Sequence, residues 1–286
     1  MKKKAILEFV GRLGNQIYIY CTALRLQECG YDVKFDKEYF DWWPQKRKFR
    51  WSVELDKFKV NLPWATKEEI RRYLWRTNNR YINALLKRKK YFSKKVIWIY
   101  ERKDFENFPN ECYLLGFEAN EEFLSKNRKK LSNLFELKEE YRGGISNILD
   151  EIKKVNSVCI TVRRGDLKRY SDANILPIDY YKKAVDIIKT RIKDPIFYIT
   201  SDEIEWCKEN FGWLDNKIFL NYKSHENFEI AKSCKHIILS NSTFSWWAAF
   251  LNQNKEAIII SPQKFYIRER DKYSNLDLFP KEWMWI

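Results

Sequence analysis

Short apolar runs alternate with amphipathic segments from Ser157 to the carboxyl terminus. The run ending at Val162 is apolar on both strand faces, the pattern of a strand covered by helices on either side. After Pro177, apolar positions at helical spacing predict a helix over 178–191. The alternation continues with a strand over 196–200, a helix over 203–210, a strand over 217–220 and a helix over 225–234. A strand over 236–240, a helix over 244–252 and a strand over 257–260 follow. Repeated strand–helix units with short connections predict a parallel sheet, with ligands bound beyond the carboxyl ends of its strands. The chain opens in the same way, with a strand over 5–10, a glycine-containing turn, a helix over 16–29, Gly30 as a C-cap and a strand over 32–35. Between 40 and 100 the sequence is rich in Trp, Tyr, Lys and Arg without a clean period, and its elements are not ordered by pattern. Paired glycines at 143 and 144 mark the expected boundary between an N-terminal Rossmann-like lobe, 1–144, and a C-terminal one, 145–286. The expected fold class is α/β, two such lobes with a cleft between them.

Composition narrows the partners. Of 286 residues, 45% are hydrophobic and 33% charged, the balance of a globular chain. The net charge of +15 and the pI near 9.4 favour polyanionic partners: phosphorylated small molecules, nucleic acid or an anionic membrane face. Part of the excess lies in Lys87-Arg88-Lys89-Lys90 and Lys94-Lys95 around Tyr91 and Phe92, readable as a phosphate or headgroup contact or as a solvated helix end. Lys2-Lys3-Lys4 before an apolar run imitates a signal peptide, but Glu8 interrupts the run, so it reads as a core strand, and no apolar span reaches 18 residues. The expectation is a cytoplasmic protein with room for peripheral contact at the inner membrane face. Six cysteines without a Cys-x-x-Cys pair read as reduced, buried thiols, and His225 and His236 read as structural.

Against that background four strand ends carry chemistry. Arg163-Arg164-Gly165-Asp166 places two guanidiniums where substrate sits in an open sheet; forked guanidiniums match phosphate oxygens bidentately. A surface ion pair with Asp166 is the alternative. Gly11-Arg12-Leu13-Gly14-Asn15-Gln16 lets backbone approach a ligand at a helix N-terminus, or is simply a tight turn. Ser201-Asp202 offers a carboxylate acceptor for guanine or ribose, or a helix cap. Ser240-Asn241-Ser242-Thr243-Phe244-Ser245 packs five hydroxyl or amide side chains at a helix start, a phosphate-cradle composition. Asn241-Ser242-Thr243 also spells a glycosylation sequon, discounted for lack of a secretion signal. Trp246-Trp247 reads as packing of that helix on the sheet.

Together, and in this order, Gly11 to Gln16, Thr161 to Asp166, Ser201-Asp202 and Asn241 to Trp247 resemble the motifs of the α-1,2-fucosyltransferase family, glycosyltransferase family 11. The resemblance spans nearly the whole chain. It implies a GT-B-like fold, with the N-terminal lobe on the acceptor side and the C-terminal lobe holding the nucleotide sugar. It also implies transfer of fucose from GDP-fucose, with inversion, to the 2-hydroxyl of a galactose-like residue in an oligosaccharide or lipid-linked glycan. No metal or other cofactor is implied, and the lack of an Asp-x-Asp motif agrees. By that likeness Arg163 binds the β-phosphate and stabilises charge on the leaving diphosphate, Arg164 supports it, and Asp202 meets guanine or ribose. Ser242, Thr243, Phe244 and Ser245 hold the phosphates, and Gly14, Asn15 and Gln16 face the same donor. Asp166 is the candidate base, the departing diphosphate the alternative proton acceptor. Family members usually carry His where this chain has Thr161, so the nucleotide contact expected at this donor-side position is weaker, altered or moved to the backbone. Rings between Trp42 and Trp75 are either an acceptor platform or core. A basic nucleic-acid-binding protein would explain the charge but none of the four motifs, and nucleic acid is not an expected partner.

Overall fold

The computed structural model describes residues 3–42, 51–74, 95–99, 104–169, 174–263 and 280–286. The chain divides into two compact units, Met1–Asp56 with Val60–Lys126, and Lys57–Lys59 with Asn127–Ile286. The division falls inside a helix, Glu121–Leu134, and the paired glycines lie within the second unit as a 3-10 turn, Gly143–Ile145. A glycine pair there serves a short turn before the helix Ser146–Lys154, not a linker.

The first unit is built on a four-stranded parallel sheet. Its strands are Lys3–Glu8 (β1), Tyr31–Asp36 (β2), Val96–Trp98 (β3) and Glu111–Leu115 (β4), in the order β2-β1-β4-β3. Helix α1, Leu13–Glu28, returns the chain from β1 to β2 and buries Ile17, Ile19, Ala23 and Leu26 among others. It ends at Cys29, and Gly30 at φ +84° donates to the Gln27 carbonyl, the left-handed C′ position expected of it. Phe9 and Phe35 pack edge-on against Trp64, at 5.6 and 6.3 Å between ring centroids, which places that tryptophan in the packing of the unit. Trp51 stacks on Tyr39. Trp43, Trp75 and the Trp42 side chain lie outside the described residues, as do Lys87 to Lys94; Lys95 pairs with Glu111.

The second unit holds six parallel strands: Asn156–Val162 (β5), Pro195–Ser201 (β6), Lys217–Phe219 (β7), His236–Ile238 (β8), Ile259–Ser261 (β9) and Met284–Trp285 (β10). Their order is β10-β9-β8-β5-β6-β7, so the chain builds outward from β5 to one edge, then crosses back to start again at β8. This is the doubly wound order, and its switch point lies between β5 and β8. Residues 157–162 of β5 are all buried, as a strand at the centre of such a sheet demands. The helix Ile178–Arg191 buries Tyr180, Tyr181, Ala184, Val185 and Ile188 against Val158, Ile160, Phe197 and Ile199. The helix Thr243–Phe250 is apolar nearly all round and buried from Ser245 to Phe250. Trp247 is fully buried and meets Phe135 edge-on at 5.9 Å, so the tryptophan pair packs this helix rather than facing a ligand.

All six cysteines are free and all but Cys29 are buried. Burial pushes the Cys112 thiol up to about 12 and the Cys207 thiol to about 11, which keeps both protonated and unreactive. No helix among the described residues is long and apolar enough to cross a membrane.

Candidate functional site

Four consecutive residues leave the central strand β5 and form its carboxyl-end turn. Arg163 lies between two carboxylates: Nη2 is 2.6 Å from Asp166 Oδ1, and Nη1 is 3.0 Å from Asp202 Oδ2. Asp202 follows β6, the neighbour of β5, where the register Val162↔Ser201 brings the two strand ends abreast. Its other oxygen, Oδ1, accepts from the backbone N–H of Arg164 at 3.0 Å and of Gly165 at 3.3 Å. Asp202 was expected at guanine or ribose; instead its carboxylate is folded onto the arginine turn. Neighbouring parallel strands bring their ends within reach, and the nearest donors are those of the turn.

The second arginine is used differently. The Arg164 guanidinium lies over the Trp206 ring, 3.7 Å from its centroid, with Nε 3.6 Å from Glu203 Oε2. Lys168 Nζ also pairs with Glu203, at 2.6 Å. Trp206 and Glu203 belong to the segment and helix Ile204–Asn210 that follow Asp202, and sequence reasoning passed over both. The signal was available: an aromatic four residues beyond Asp202 presents a face one helical turn along. Three cations, Arg163, Arg164 and Lys168, thus meet three carboxylates, Asp166, Asp202 and Glu203. The turn is therefore directional rather than a bare positive patch: a carboxylate stands at each terminal nitrogen of the Arg163 fork and fixes its plane.

Across the switch point, β8 supplies the hydroxyl groups. Ser242 caps the helix Thr243–Phe250, accepting from Ser245 N at 3.2 Å. Ser245 Oγ is 2.8 Å from Ser240 Oγ and 3.1 Å from Ser242 Oγ, and is itself buried. Ser242, Thr243 and Phe244 are half-buried at the helix start, where the positive dipole end suits an anion. Asn241 Nδ2 donates to the Asn174 carbonyl and ties the preceding loop to this turn.

Thr161 corrects another expectation. It is 2% exposed, and its hydroxyl accepts from Ser240 N at 2.8 Å and donates to Ile238 O at 3.2 Å. It stitches β5 to β8 beneath the site and has no surface to offer a base. A threonine hydroxyl is too short to pass the neighbouring backbone, so it bonds to it.

In the first unit Gly11 and Asn15 form the turn as read. Gly11 sits at φ +81°, and a Cβ there would lie 2.8 Å from Asn15 Nδ2, so both the backbone and the space require glycine. Gly14 is buried in the first turn of α1 and Asn15 is half-buried. Gln16, expected to face the donor, is fully buried: its Nε2 donates to the Gly11 and Ser52 carbonyls at 2.9 and 2.8 Å, and its Oε1 accepts from Glu54 and Leu55 N–H at 2.9 and 3.0 Å. Every position of that amide is filled by the chain's own backbone.

A separate cavity of about 100 Å³ in the first unit sets Lys4, Lys34 and Arg72 against Asp32, Glu69 and Glu111. With Lys34 on Glu69 at 2.6 Å, its charges offset one another and it has no excess to hold a diphosphate. Among the described residues, no cluster of three or more His, Cys, Asp or Glu side chains is placed to hold a metal ion.

The sequence profile of Glycosyl transferase family 11 matches residues 6–286. The chain belongs to this family. Within it, the chain is 26% identical to an alpha-1,2-colitosyltransferase of Escherichia coli over 98% of both chains. It is 29% identical to the O-antigen biosynthesis glycosyltransferase WbnK of Escherichia coli, covering 90% of this chain and 93% of that one. Among solved structures, NodZ alpha-1,6-fucosyltransferase soaked with GDP-fucose superposes with a TM-score of 0.53 at 13% identity, over 88% of this chain and 93% of NodZ. The family 11 chain therefore has the GT-B-type mixed α/β fold with parallel sheets, and it is a glycosyltransferase.

Proposed function

We propose that this family 11 glycosyltransferase moves fucose from GDP-fucose, with inversion, to the 2-hydroxyl of a galactose-like residue in a surface glycan, without a metal ion. The observation that carries the reading is Arg163 at the carboxyl end of the central strand, beside the switch point and across it from the Ser242-capped helix. The acceptor hydroxyl attacks the anomeric carbon as the bond to the diphosphate breaks. Negative charge grows on the departing diphosphate, and a fixed guanidinium stabilises that charge more in the transition state than in the ground state. Ser242, Thr243, Phe244 and Ser245 supply backbone N–H and hydroxyl groups for the phosphates, and Gly14 and Asn15 of the first unit are a donor-side turn. The acceptor's proton goes to Asp166 or to the leaving diphosphate. Because Asp166 also holds Arg163, Asp166→Asn lowers turnover in either case, and the pH profile separates them: the acidic limb of kcat/KM disappears in Asp166→Asn only if Asp166 takes the proton. The galactose-like acceptor rests on the likeness of the motifs, and the surface glycan on that likeness and the O-antigen role in the name of one relative.

A second donor has an observation in its favour: the relative matched over 98% of both chains is named for colitose. Colitose is fucose without its 3-hydroxyl, so one pocket difference separates the two. The test is a panel of GDP-fucose, GDP-colitose and GDP-mannose, assayed for transfer to lactose and for donor hydrolysis, with Arg163→Ala alongside. Turnover of GDP-fucose above the others, lost in Arg163→Ala, supports the reading; turnover of GDP-colitose alone replaces fucose by colitose; no turnover and no GDP binding ends it. Transfer that requires an added divalent cation would remove the metal-independent part.

A further inference from the structure

We infer that Asp202 is a positioning residue, acting through Arg163, and that it does not touch the nucleoside. The inference rests on the reading that Arg163 meets the diphosphate. One carboxylate here holds both parts that a phosphate clamp must fix. Oδ1 gathers the backbone N–H groups of Arg164 and Gly165, setting the path of the turn, while Oδ2 fixes the plane of the Arg163 guanidinium from one side. Asp166 holds the other terminal nitrogen, so the fork is gripped at both ends and its rotation about the last bonds of the side chain is arrested.

The carboxylate is itself anchored. Asp202 stands directly after β6, whose seven-residue parallel ladder with β5 ends at Val162↔Ser201. On its other side Ser201 Oγ accepts from Glu203 N at 2.9 Å and fixes the bend into the next helix. The side chain is 10% exposed. Oδ1 takes both N–H groups of the turn, and Oδ2 faces the Arg163 guanidinium at 3.0 Å. Guanine or ribose would have to compete with that cation for Oδ2. Arg164 cannot replace the clamped arginine, because its guanidinium lies on Trp206 and Glu203. The arginine pair thus divides its work: Arg164 ties the turn to the helix beyond, Arg163 faces phosphate, and Asp202 decides where Arg163 points.

The ligand series that separates the two roles is GDP, GMP and IDP, measured by calorimetry on the wild-type chain, Asp202→Asn and Asp202→Ala. Asparagine retains an acceptor for the backbone N–H groups but has no charge for Arg163. A positioning role predicts GDP binding weakened on the order of tenfold in Asp202→Asn. GMP, which lacks the β-phosphate, changes less than about twofold, and the GDP:IDP affinity ratio is unaltered. In turnover, kcat falls about a hundredfold, the scale of a clamp displaced by an ångström, while KM moves little. GMP weakened as much as GDP, or a shifted GDP:IDP ratio, overturns the inference and returns Asp202 to the nucleoside. A ligand-free measurement stands beside it. Melting temperatures of Asp202→Asn, Arg163→Gln and the double variant are non-additive if the pair is real and additive if it is not. If Asp202→Ala does not fold, Asp202→Asn carries the series alone. Should the wild-type chain bind no guanine nucleotide, the fucosyltransferase reading fails while the melting cycle still decides the Asp202–Arg163 pair.

Discussion

The two first-strand turns of this chain solve the same problem with opposite chemistry. In the first unit, the turn after β1 is closed by a neutral amide: Gln16 spends all four of its hydrogen-bonding positions on backbone groups of Gly11, Ser52, Glu54 and Leu55. In the second unit, the turn after β5 is closed by charge: Asp202 and Asp166 hold Arg163, and Glu203 and Trp206 hold Arg164. An amide used up in this way gives shape and leaves nothing over. An arginine held by two carboxylates has its guanidinium fixed in place, with a charge that an incoming anion can meet. On the proposed function, the amide of the first turn is scaffold and the charged turn of the second unit is the reactive one, although both read from sequence as ligand-facing loops.

The largest effect expected to test that contrast is at Arg163. Arg163→Lys preserves a charge but loses the planar fork, so it should satisfy neither carboxylate nor a bidentate phosphate as arginine does. Turnover per folded molecule should fall on the order of 10²–10³-fold, as for loss of a transition-state donor. Full activity in Arg163→Lys would mean that a point charge suffices and that the grip has no catalytic consequence.

Gln16→Leu should show the reverse pattern. The substitution leaves the buried Gly11 carbonyl and Leu55 N–H without partners, together with the more accessible Ser52 carbonyl and Glu54 N–H, costing roughly 3 kcal/mol, since each buried orphaned group costs about 1–3 kcal/mol. Chemical denaturation should show that loss, while kcat of the folded fraction stays near wild type. A kcat collapse in a fully stable variant would make Gln16 a ligand contact and erase the contrast.

Thr161→Val comes next in size. It is isosteric but removes the acceptor for Ser240 N and the link toward Ser245, and a single buried N–H left unpaired costs about 1–2 kcal/mol. Donor discrimination between GDP and IDP should not change, because the hydroxyl is 2% exposed. A shifted base preference would put Thr161 back at the nucleotide.

How much of this was legible beforehand differs between element and contact. Strands β5, β6 and β8 were readable as apolar runs set between helical segments, and the helix Ile178–Arg191 by its period and its start after Pro177. Strands β3 and β4 were not: Val96–Trp98 and Glu111–Leu115 are three and five residues long, too short for a period, and are specified by the parallel neighbours they pair with. The terminal pair Met284–Trp285 is shorter still. At the site, Arg163, Ser242 and Ser245 were legible as residues that end strands or start helices. What Asp202, Thr161 and Gln16 do was not, because each bonds to a segment 36 to 79 residues away that only sheet order brings near. Sequence order does not reveal that β8 lies beside β5 rather than β7. The motif marks the place, and the strand order assigns the job.

The smallest expected effect concerns the far end of the same β5–β8 seam. His236 opens β8, opposite Val158, and its Nδ1 accepts from Ile258 N at 3.0 Å, which requires the neutral ring. Burial, with Lys235 adding to it, lowers its pKa from the ordinary 6.5. The unfolded chain therefore takes up the proton first as the pH falls. Stability from this residue is complete above pH 6.5 and is lost as pH drops from there toward the lowered folded value. His236→Asn, whose Oδ1 reproduces the acceptor without titrating, should flatten the stability slope in that window. The pH dependence of kcat should be the same in both chains, because His236 lies at the start of its strand and the reactive turn lies at the other end. Should the substitution instead move the pH profile of turnover, the seam would transmit protonation from one edge of the sheet to the other. The reactive turn would then owe its geometry to more than the carboxylates that grip it.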